Sequence, residues 1–419
     1  MPGPYVAPAH ASPLRFTAAG MRDAAIWLML ASAFVVIIEP APVDLFFVGA
    51  LIILVATGLR FSVAAVPLAV FLLIYNLAGM VSFLQVYEDP RAAMFVITST
   101  YMAVSAVVMA CYIADDPLKA IQVVERGWMV AAVIASVIAL GGYLASGSLH
   151  EILSPIGRAQ GLFKDPNVFS TFIIPPTILS IRGFLQGTHR RKILALINLM
   201  ILLAAQFLAF SRGAWMNVVL AAILLVGLTF MLSPDPKMRT RIMVLAIGGF
   251  VLSALLLAIM LSNPRISALF SERANVMNYY DVGETGRFGN QLRSIPMLLV
   301  RPNGFGPVQF RHYLGHDPHN VFLNAFASFG WLGGIAYLTM VVSTLVIGVK
   351  SILRRSPWQS YAIAIFSCFV AVALQGVQID TEHWRHFYWL LGAMWGLFAA
   401  TYTLTPQVPR DADADDQPA

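Results

Sequence analysis

His319-Asn320-Val321-Phe322-Leu323-Asn324-Ala325-Phe326-Ala327-Ser328-Phe329-Gly330-Trp331-Leu332-Gly333 joins two kinds of chain. Before it runs Ser262 to Pro318, the one long polar interval of the sequence, and after it an apolar run continues to about residue 349. The polar interval holds Arg265, Arg273, Arg287, Arg293, Arg301 and Arg311 and no lysine. A guanidinium fork binds two phosphate oxygens at once, whereas an ammonium is a point charge, so such a loop suits a phosphate-bearing ligand better than bulk solvation. At this junction chemistry can meet a membrane.

The rest of the chain supplies the membrane. Hydrophobic residues make up 58% and charged residues 11%, with a mean hydropathy of +0.75; soluble proteins carry about 25% charged residues. The composition predicts an all-α polytopic membrane protein. A helix needs about 17 to 25 apolar residues to cross the hydrocarbon core. Twelve runs qualify: about 22–38, 43–59, 61–84, 92–114, 127–145, 167–185, 193–210, 213–232, 242–261, 320–349, 359–378 and 386–405. The first is the weakest, cut short by Glu39-Pro40. The expected organisation is a cytoplasmic segment 1–21, one membrane domain 22–405 that includes a large external loop 262–318, and a short acidic cytoplasmic tail 406–419. No charged head, apolar run and small-residue cleavage site precede Arg22, so the first span is expected to serve as an uncleaved anchor. Cys111 and Cys368 both fall in apolar spans, where a thiol behaves as a small hydrophobe, and no disulfide or redox chemistry is expected.

Lysine and arginine concentrate on one side of this twelve-span scheme. With both termini inside, the inner segments carry sixteen such residues and the short outer loops only Arg91, Arg158, Lys164, Arg212 and Arg385. The long arginine loop then lies outside. Arg158, Lys164, Arg212, Arg287 and His319 share that outer face, out of reach of cytoplasmic ATP and nucleotide sugars. A substrate used there must arrive already activated.

Several short stretches could carry chemistry. In Gly157-Arg158-Ala159-Gln160-Gly161-Leu162-Phe163-Lys164-Asp165-Pro166-Asn167, Asp165 and Pro166 read as a helix N-cap and first turn, leaving Arg158 and Lys164 in a glycine-flanked loop. An interfacial loop with snorkelling basic residues is the plain alternative. Pro175-Pro176 removes two backbone donors and should bend or break the next span, which would then line a cavity. Ser211-Arg212-Gly213-Ala214-Trp215 leaves almost no loop between two spans, so Arg212 sits at the mouth of a tight helix pair, as anchor or as ligand. In the long loop, Glu284 to Asn290 leads to a short apolar helix over Ser294–Val300 and then to Arg301-Pro302-Asn303-Gly304-Phe305-Gly306. Without a third spaced glycine or a strand-turn-helix context, that last piece is not a dinucleotide fingerprint. His312, His316 and His319 invite a metal reading, but Gly315 and Pro318 oppose the continuous helix that would align them, and no metal is expected. The turn Asp380-Thr381-Glu382-His383-Trp384-Arg385-His386, with Gln375 and Gln378 beneath it, reads as a solvated loop with an aromatic belt, an acceptor-side role being the minor alternative.

Together these pieces resemble the O-antigen ligase and polymerase family of bacterial glycan-assembly membrane proteins. The family signature is a histidine, then Asn, Ser or Gln, then nine residues and Gly-x-x-Gly; His319-Asn320 followed at that spacing by Gly330-Trp331-Leu332-Gly333 is similar to it. Arg158 with Gly161 and Asn167, the Ser211-Arg212-Gly213 turn, and Gly286-Arg287 through Pro302-x-Gly304-x-Gly306 also look like the family pattern. Ser294 departs from it, where relatives often carry an aromatic residue. The resemblance implies a fold like that of GT-C-type membrane glycosyltransferases, in the bacterial inner membrane with its site facing the periplasm. It also implies transfer of a glycan from an undecaprenyl-pyrophosphate-type carrier to an acceptor hydroxyl, with no metal, nucleotide or other cofactor and no nucleic acid. Glycan-assembly machinery is then a possible partner.

On that reading Arg212 and Arg287 stabilise the pyrophosphate and Arg158 is a third contact. His319 is base or acceptor-orienting group, and Lys164, Asn167 and Asn320 are further polar contacts. The acceptor stays open among a lipid core, a growing polysaccharide and a protein hydroxyl. A lipid-linked glycan flippase is the competing class, since many spans with a broken helix suit alternating access. Against it stand the lack of an obvious repeat between halves and a polar loop at one face rather than the midplane.

Overall fold

The computed structural model describes residues 17–274, 283, 286–315 and 317–403. The first sixteen residues, the acidic tail and His316 therefore lie outside the described residues. Every regular element among those described is helical. The first group is α1 Ala18–Ala31, α2 Pro42–Ala56, α3 Val66–Phe83, α4 Pro90–Asp115, α5 Pro117–Leu144 and the short α6 Ser148–Leu153 and α7 Pro166–Phe172. Then come α8 Ile174–Gln186, α9 His189–Leu208, α10 Arg212–Leu232 and α11 Pro236–Leu261. The polar interval contributes α12 Pro264–Ala274, α13 Arg287–Leu299 and α14 Arg311–Leu314, and the chain closes with α15 Val321–Leu353, α16 Gln359–Gln375 and α17 Arg385–Thr403.

Each of the twelve apolar runs holds helix. Among the described residues, eight helical segments are long and apolar enough to cross a membrane, with α7 and α8 counted as one, while α2 and α16 are shorter. This is a polytopic membrane protein. Helix α1 stops at Ala31, well before Glu39-Pro40.

Local chemistry explains the helix starts. Asp89-Pro90, Asp165-Pro166 and Asp235-Pro236 repeat one device, in which the Asp carboxylate accepts the N–H of the residue after proline and proline's missing donor costs nothing at the first turn. The span containing Pro175-Pro176 is broken as expected, but at Ile173, so that both prolines fall in the first turn of α8. The polar interval departs from expectation in one respect. Its central helix runs from Arg287 to Leu299, not from Ser294, because Gly286 starts it in extended backbone and Pro296 is tolerated inside it.

Small residues let the central helices approach closely, as lipid-embedded packing requires. Gly392 and Gly396 of α17 lie against the Ala106 and Ala110 carbonyls of α4, and Gly333 of α15 lies against Ala78 of α3. A second break matters more for the site. Inside α15, Gly330 is non-helical at φ 70°, and the freed backbone is taken up by an inserted loop: Trp331 N–H donates to Pro302 O at 2.8 Å and Phe305 N–H to Ala327 O at 2.7 Å. A Cβ on Gly304 would sit 2.6 Å from Ala327 O and 2.8 Å from Gly330 N. Two facing glycines thus dock the polar interval into the broken helix and fix the half-helix Val321–Phe329, at whose start His319 stands.

Candidate functional site

The site is best built outward from the end of α16. The Gln375 carboxamide oxygen accepts from Asn217 Nδ2 of α10 at 2.6 Å and from Thr171 Oγ1 of α7 at 3.0 Å. A Cβ on Gly213 would touch the Gln375 and Gln378 amides, and the Gly376 carbonyl accepts the Val321 N–H of α15 at 2.7 Å. Three elements, α7, α10 and α15, therefore converge on this one helix end. Two of them begin with sequence-predicted site residues, since Arg212 is the first residue of α10 and Asn320 caps α15.

His319 takes a left-handed φ of 50°, a conformation uncommon outside glycine and held here by its neighbours. Its Nδ1 lies 3.8 Å from Asp380 Oδ2, while Asp380 Oδ1 accepts the Asn320 N–H at 3.1 Å. The Asn320 side chain accepts the N–H groups of Phe322 and Leu323, which opens the half-helix. Gln291 of α13 braces the arrangement by donating to the carbonyls of His319 at 3.1 Å and Val377 at 3.0 Å. Arg287 is one turn before Gln291 on the same face of α13 and is half-buried.

Arg158 is buried. Its Nε donates to Ala209 O at 2.7 Å and its Nη2 to Asn167 Oδ1 at 3.0 Å, which pins the turn Ala209-Phe210-Ser211 that presents Arg212. Phe210 in that turn is also left-handed, at φ 47°. Arg158 and Asn167 thus come together and support the Arg212 turn. Lys164 does not join them through any described contact; its Nζ pairs with Glu39 at 2.6 Å, both side chains well exposed.

The Asp380 to His386 turn corrects the expectation of a solvated loop. Thr381, Glu382, Trp384 and His386 are buried, because neighbouring helices supply hydrogen bonds that water would otherwise provide: Asn324 Nδ2 of α15 donates to Glu382 Oε1 at 2.6 Å. Burial, with the nearby Asp317 charge, pushes the Asp380 carboxyl up to about 7, opposed by the N–H groups of Asn320 and His319. Burial first, and then Asp380, drives Glu382 well above the usual carboxylate range. Burial pushes the His383 imidazole down to about 4. Asp380 and Gln291 are the site residues that sequence reasoning missed as partners of His319. The polar cluster and the glutamines beneath it were the available signal.

The remaining loop residues have local roles. Gly315, left-handed at φ 83°, ends α14, and Arg311 pairs with Asp317 at 2.7 Å. His312 is exposed. Arg301 lies over the Phe305 ring at 5.1 Å.

Chemically, the arrangement offers an imidazole with a carboxyl group facing one nitrogen, and α10 and α13 each begin with an arginine. Compared with protein-family models and with curated proteins, the sequence matches none.

Proposed function

We propose that the protein is a glycosyltransferase that moves a glycan from a polyprenyl-pyrophosphate carrier to an acceptor hydroxyl at the outer face of a bacterial inner membrane. The observation that carries this reading is the convergence on the end of α16, which joins the His319–Asp380 pair to the Arg212 turn. Twelve spans with both termini cytoplasmic complete the proposal, supported by the basic excess of the inner segments. In the proposed reaction Asp380 faces Nδ1 of His319, leaving Nε2 to take the acceptor's proton. The acceptor oxygen bonds the anomeric carbon, the sugar–phosphate C–O bond breaks, and its electron pair leaves on the pyrophosphate. Arg212 and Arg287 stabilise that charge. Arg158, held by Ala209 O and Asn167, supports the Arg212 turn and is the proposed third contact to the pyrophosphate.

A transporter is the second reading, favoured by the two interrupted helices, α7–α8 and α15. Purified protein in detergent separates the two, because no second compartment exists there. Consumption of a lipid-linked glycan with product formation supports transfer. Binding without turnover, paired with vectorial movement after reconstitution, supports transport instead.

A further inference from the structure

Gln375, the last residue of α16, is 3% exposed. Both hydrogen bonds that its side chain makes to described residues end on the oxygen, from Asn217 Nδ2 at 2.6 Å and from Thr171 Oγ1 at 3.0 Å. An amide whose oxygen is held by two donors has a fixed orientation, and its nitrogen must point away from them. It points at Gly213. A Cβ at that glycine would lie 3.5 Å from Gln375 Nε2 and 3.6 Å from Gln378 Oε1. Gly213 is the second residue of α10 and does not take a left-handed φ, so its backbone does not require glycine and alanine would be the better helix former. What the glycine leaves is room over two amides, one presenting a donor and the other an acceptor.

The joint between α7, α10 and α16 uses only the oxygen of Gln375. Its nitrogen takes no part in that joint, and a buried donor without a partner is costly. A ligand atom in the space beside Gly213 would satisfy it. Residues 375–378 also lie between the two arms of the site. The Gly376 carbonyl accepts the Val321 N–H, and the Val377 carbonyl accepts from Gln291, which holds the His319 carbonyl as well. Gln375 and Gln378 turn instead to the helix start that carries Arg212. In the proposed reaction the base stands at one end and the pyrophosphate at the other, and the group between them is the sugar whose anomeric carbon is attacked. Uncharged amides suit a neutral, hydroxyl-bearing ring, whereas a phosphate would gain nothing from the Gln378 oxygen.

We propose that Gln375 and Gln378 form the subsite for the sugar unit being transferred, a neutral hydroxyl-bearing ring. The Gln375 nitrogen donates to one ring substituent, the Gln378 oxygen accepts from a neighbouring hydroxyl, and Gly213 keeps the space open. The inference rests on the proposed function for the order of base, sugar and pyrophosphate.

The test is binding, not turnover. Purified full-length protein in detergent is titrated calorimetrically, without acceptor, with a prenyl diphosphate carrying one neutral hexose and with the same prenyl diphosphate lacking it. The hexose-bearing probe should bind the wild type more tightly. Gly213→Ala, whose Cβ meets the amides only at ordinary contact distance, should keep the melting temperature. It should weaken the hexose-bearing probe roughly tenfold, about the loss of one hydrogen bond, and change the bare probe by less than about twofold. Gln378→Leu should cost about threefold in the same selective way. Gln375→Leu is the poorer variant, because it strands the Asn217 and Thr171 donors. Equal loss of both probes would make these amides phosphate contacts. No loss of either, or a wild type that binds the two probes alike, would make them structural only, and each of these results overturns the subsite. Hexose-dependent binding that Gly213→Ala removes, in a protein that transfers no glycan, would sink the glycosyltransferase reading and spare the subsite. Transfer by Gly213→Ala at the wild-type rate and KM would do the reverse.

Discussion

The turn between α16 and α17 and the interval from Ser262 to Pro318 are both polar, yet they are built in opposite ways. The short turn is buried, with its carboxylates held by Asn320 and Asn324 of α15. About half of the described residues of the long interval are exposed, and its α13 turns Phe288, Leu292, Ile295 and Leu299 outward while Asn290, Ser294 and Leu298 face in. Length and arginine content draw attention to the long interval, but the carboxylate beside His319 comes from the short one. Burial therefore says more about where reactive groups are held than polarity does. The long interval leads into His319, and the short turn supplies the carboxyl group that faces it.

The strongest way to break this comparison is at the contact between the two. His319→Ala should lower glycan transfer by about 10² to 10⁴-fold at unchanged protein level, as loss of a general base does. His312→Ala, exposed in the same loop, should leave transfer near wild type. Equal effects of the two substitutions in a lipid-linked glycan assay would remove His319 from the mechanism.

Next come the arginines at the two helix starts. Arg212→Lys and Arg287→Lys keep the charge and lose the fork, and each should cost on the order of 100-fold in turnover, by analogy with losing one preorganised donor. Wild-type rates with lysine at both positions would make these residues membrane anchors. Arg301→Lys, whose side chain lies over Phe305, should change little.

Much of the fold was legible because apolar length is a direct physical signal: each apolar run holds helix, and the Asp165-Pro166 start falls where the sequence places it. The site was legible in its parts. Arg158 with Asn167, and the Arg212 turn, were singled out by the family resemblance, and the structure joins them through Ala209. The pairing of His319 with Asp380 was not, because sixty residues separate them and a run of Asp, Glu, His and Arg reads as solvated unless helices are known to cover it. The Gly330 break was hidden as well. Glycine at a helix position signals tolerance, and only the inserted Pro302–Gly304 loop shows why φ must be positive there. Lys164 is the opposite case, a basic residue in the right loop that pairs outward with Glu39.

Asp380 sharpens the comparison through pH. Its carboxyl is raised to about 7, so it is neutral below that pH and offers His319 no charge. Transfer should rise with pH through about 7 and then level, and Asp380→Asn should cost roughly 10- to 100-fold and flatten the rise, as for a group that orients a histidine. Stability should move the other way. A carboxyl with a raised folded-state pKa binds its proton more tightly folded than unfolded, so its contribution is present below about 4 and lost as pH rises towards 7. Thermal melts at pH 5 and pH 8 should show the wild type losing more than Asp380→Asn. A parallel loss in both proteins would mean that Asp380 is not the group responsible.

The smallest effect expected is at Lys164. Its ion pair with Glu39 is exposed on both sides, and such pairs contribute between zero and about 1 kcal/mol. If Lys164 is only a tether between its loop and the α1–α2 connection, Lys164→Ala should change transfer by no more than about fivefold, the rate equivalent of that ceiling, and Glu39→Ala should match it. The paired measurement is what discriminates. A large loss for Lys164→Ala with none for Glu39→Ala would mean that the ammonium turns from Glu39 to the donor when substrate arrives. The phosphate-binding face would then extend past Arg158 to the outer end of the first two helices, and the buried turn would no longer be the sole centre of the site.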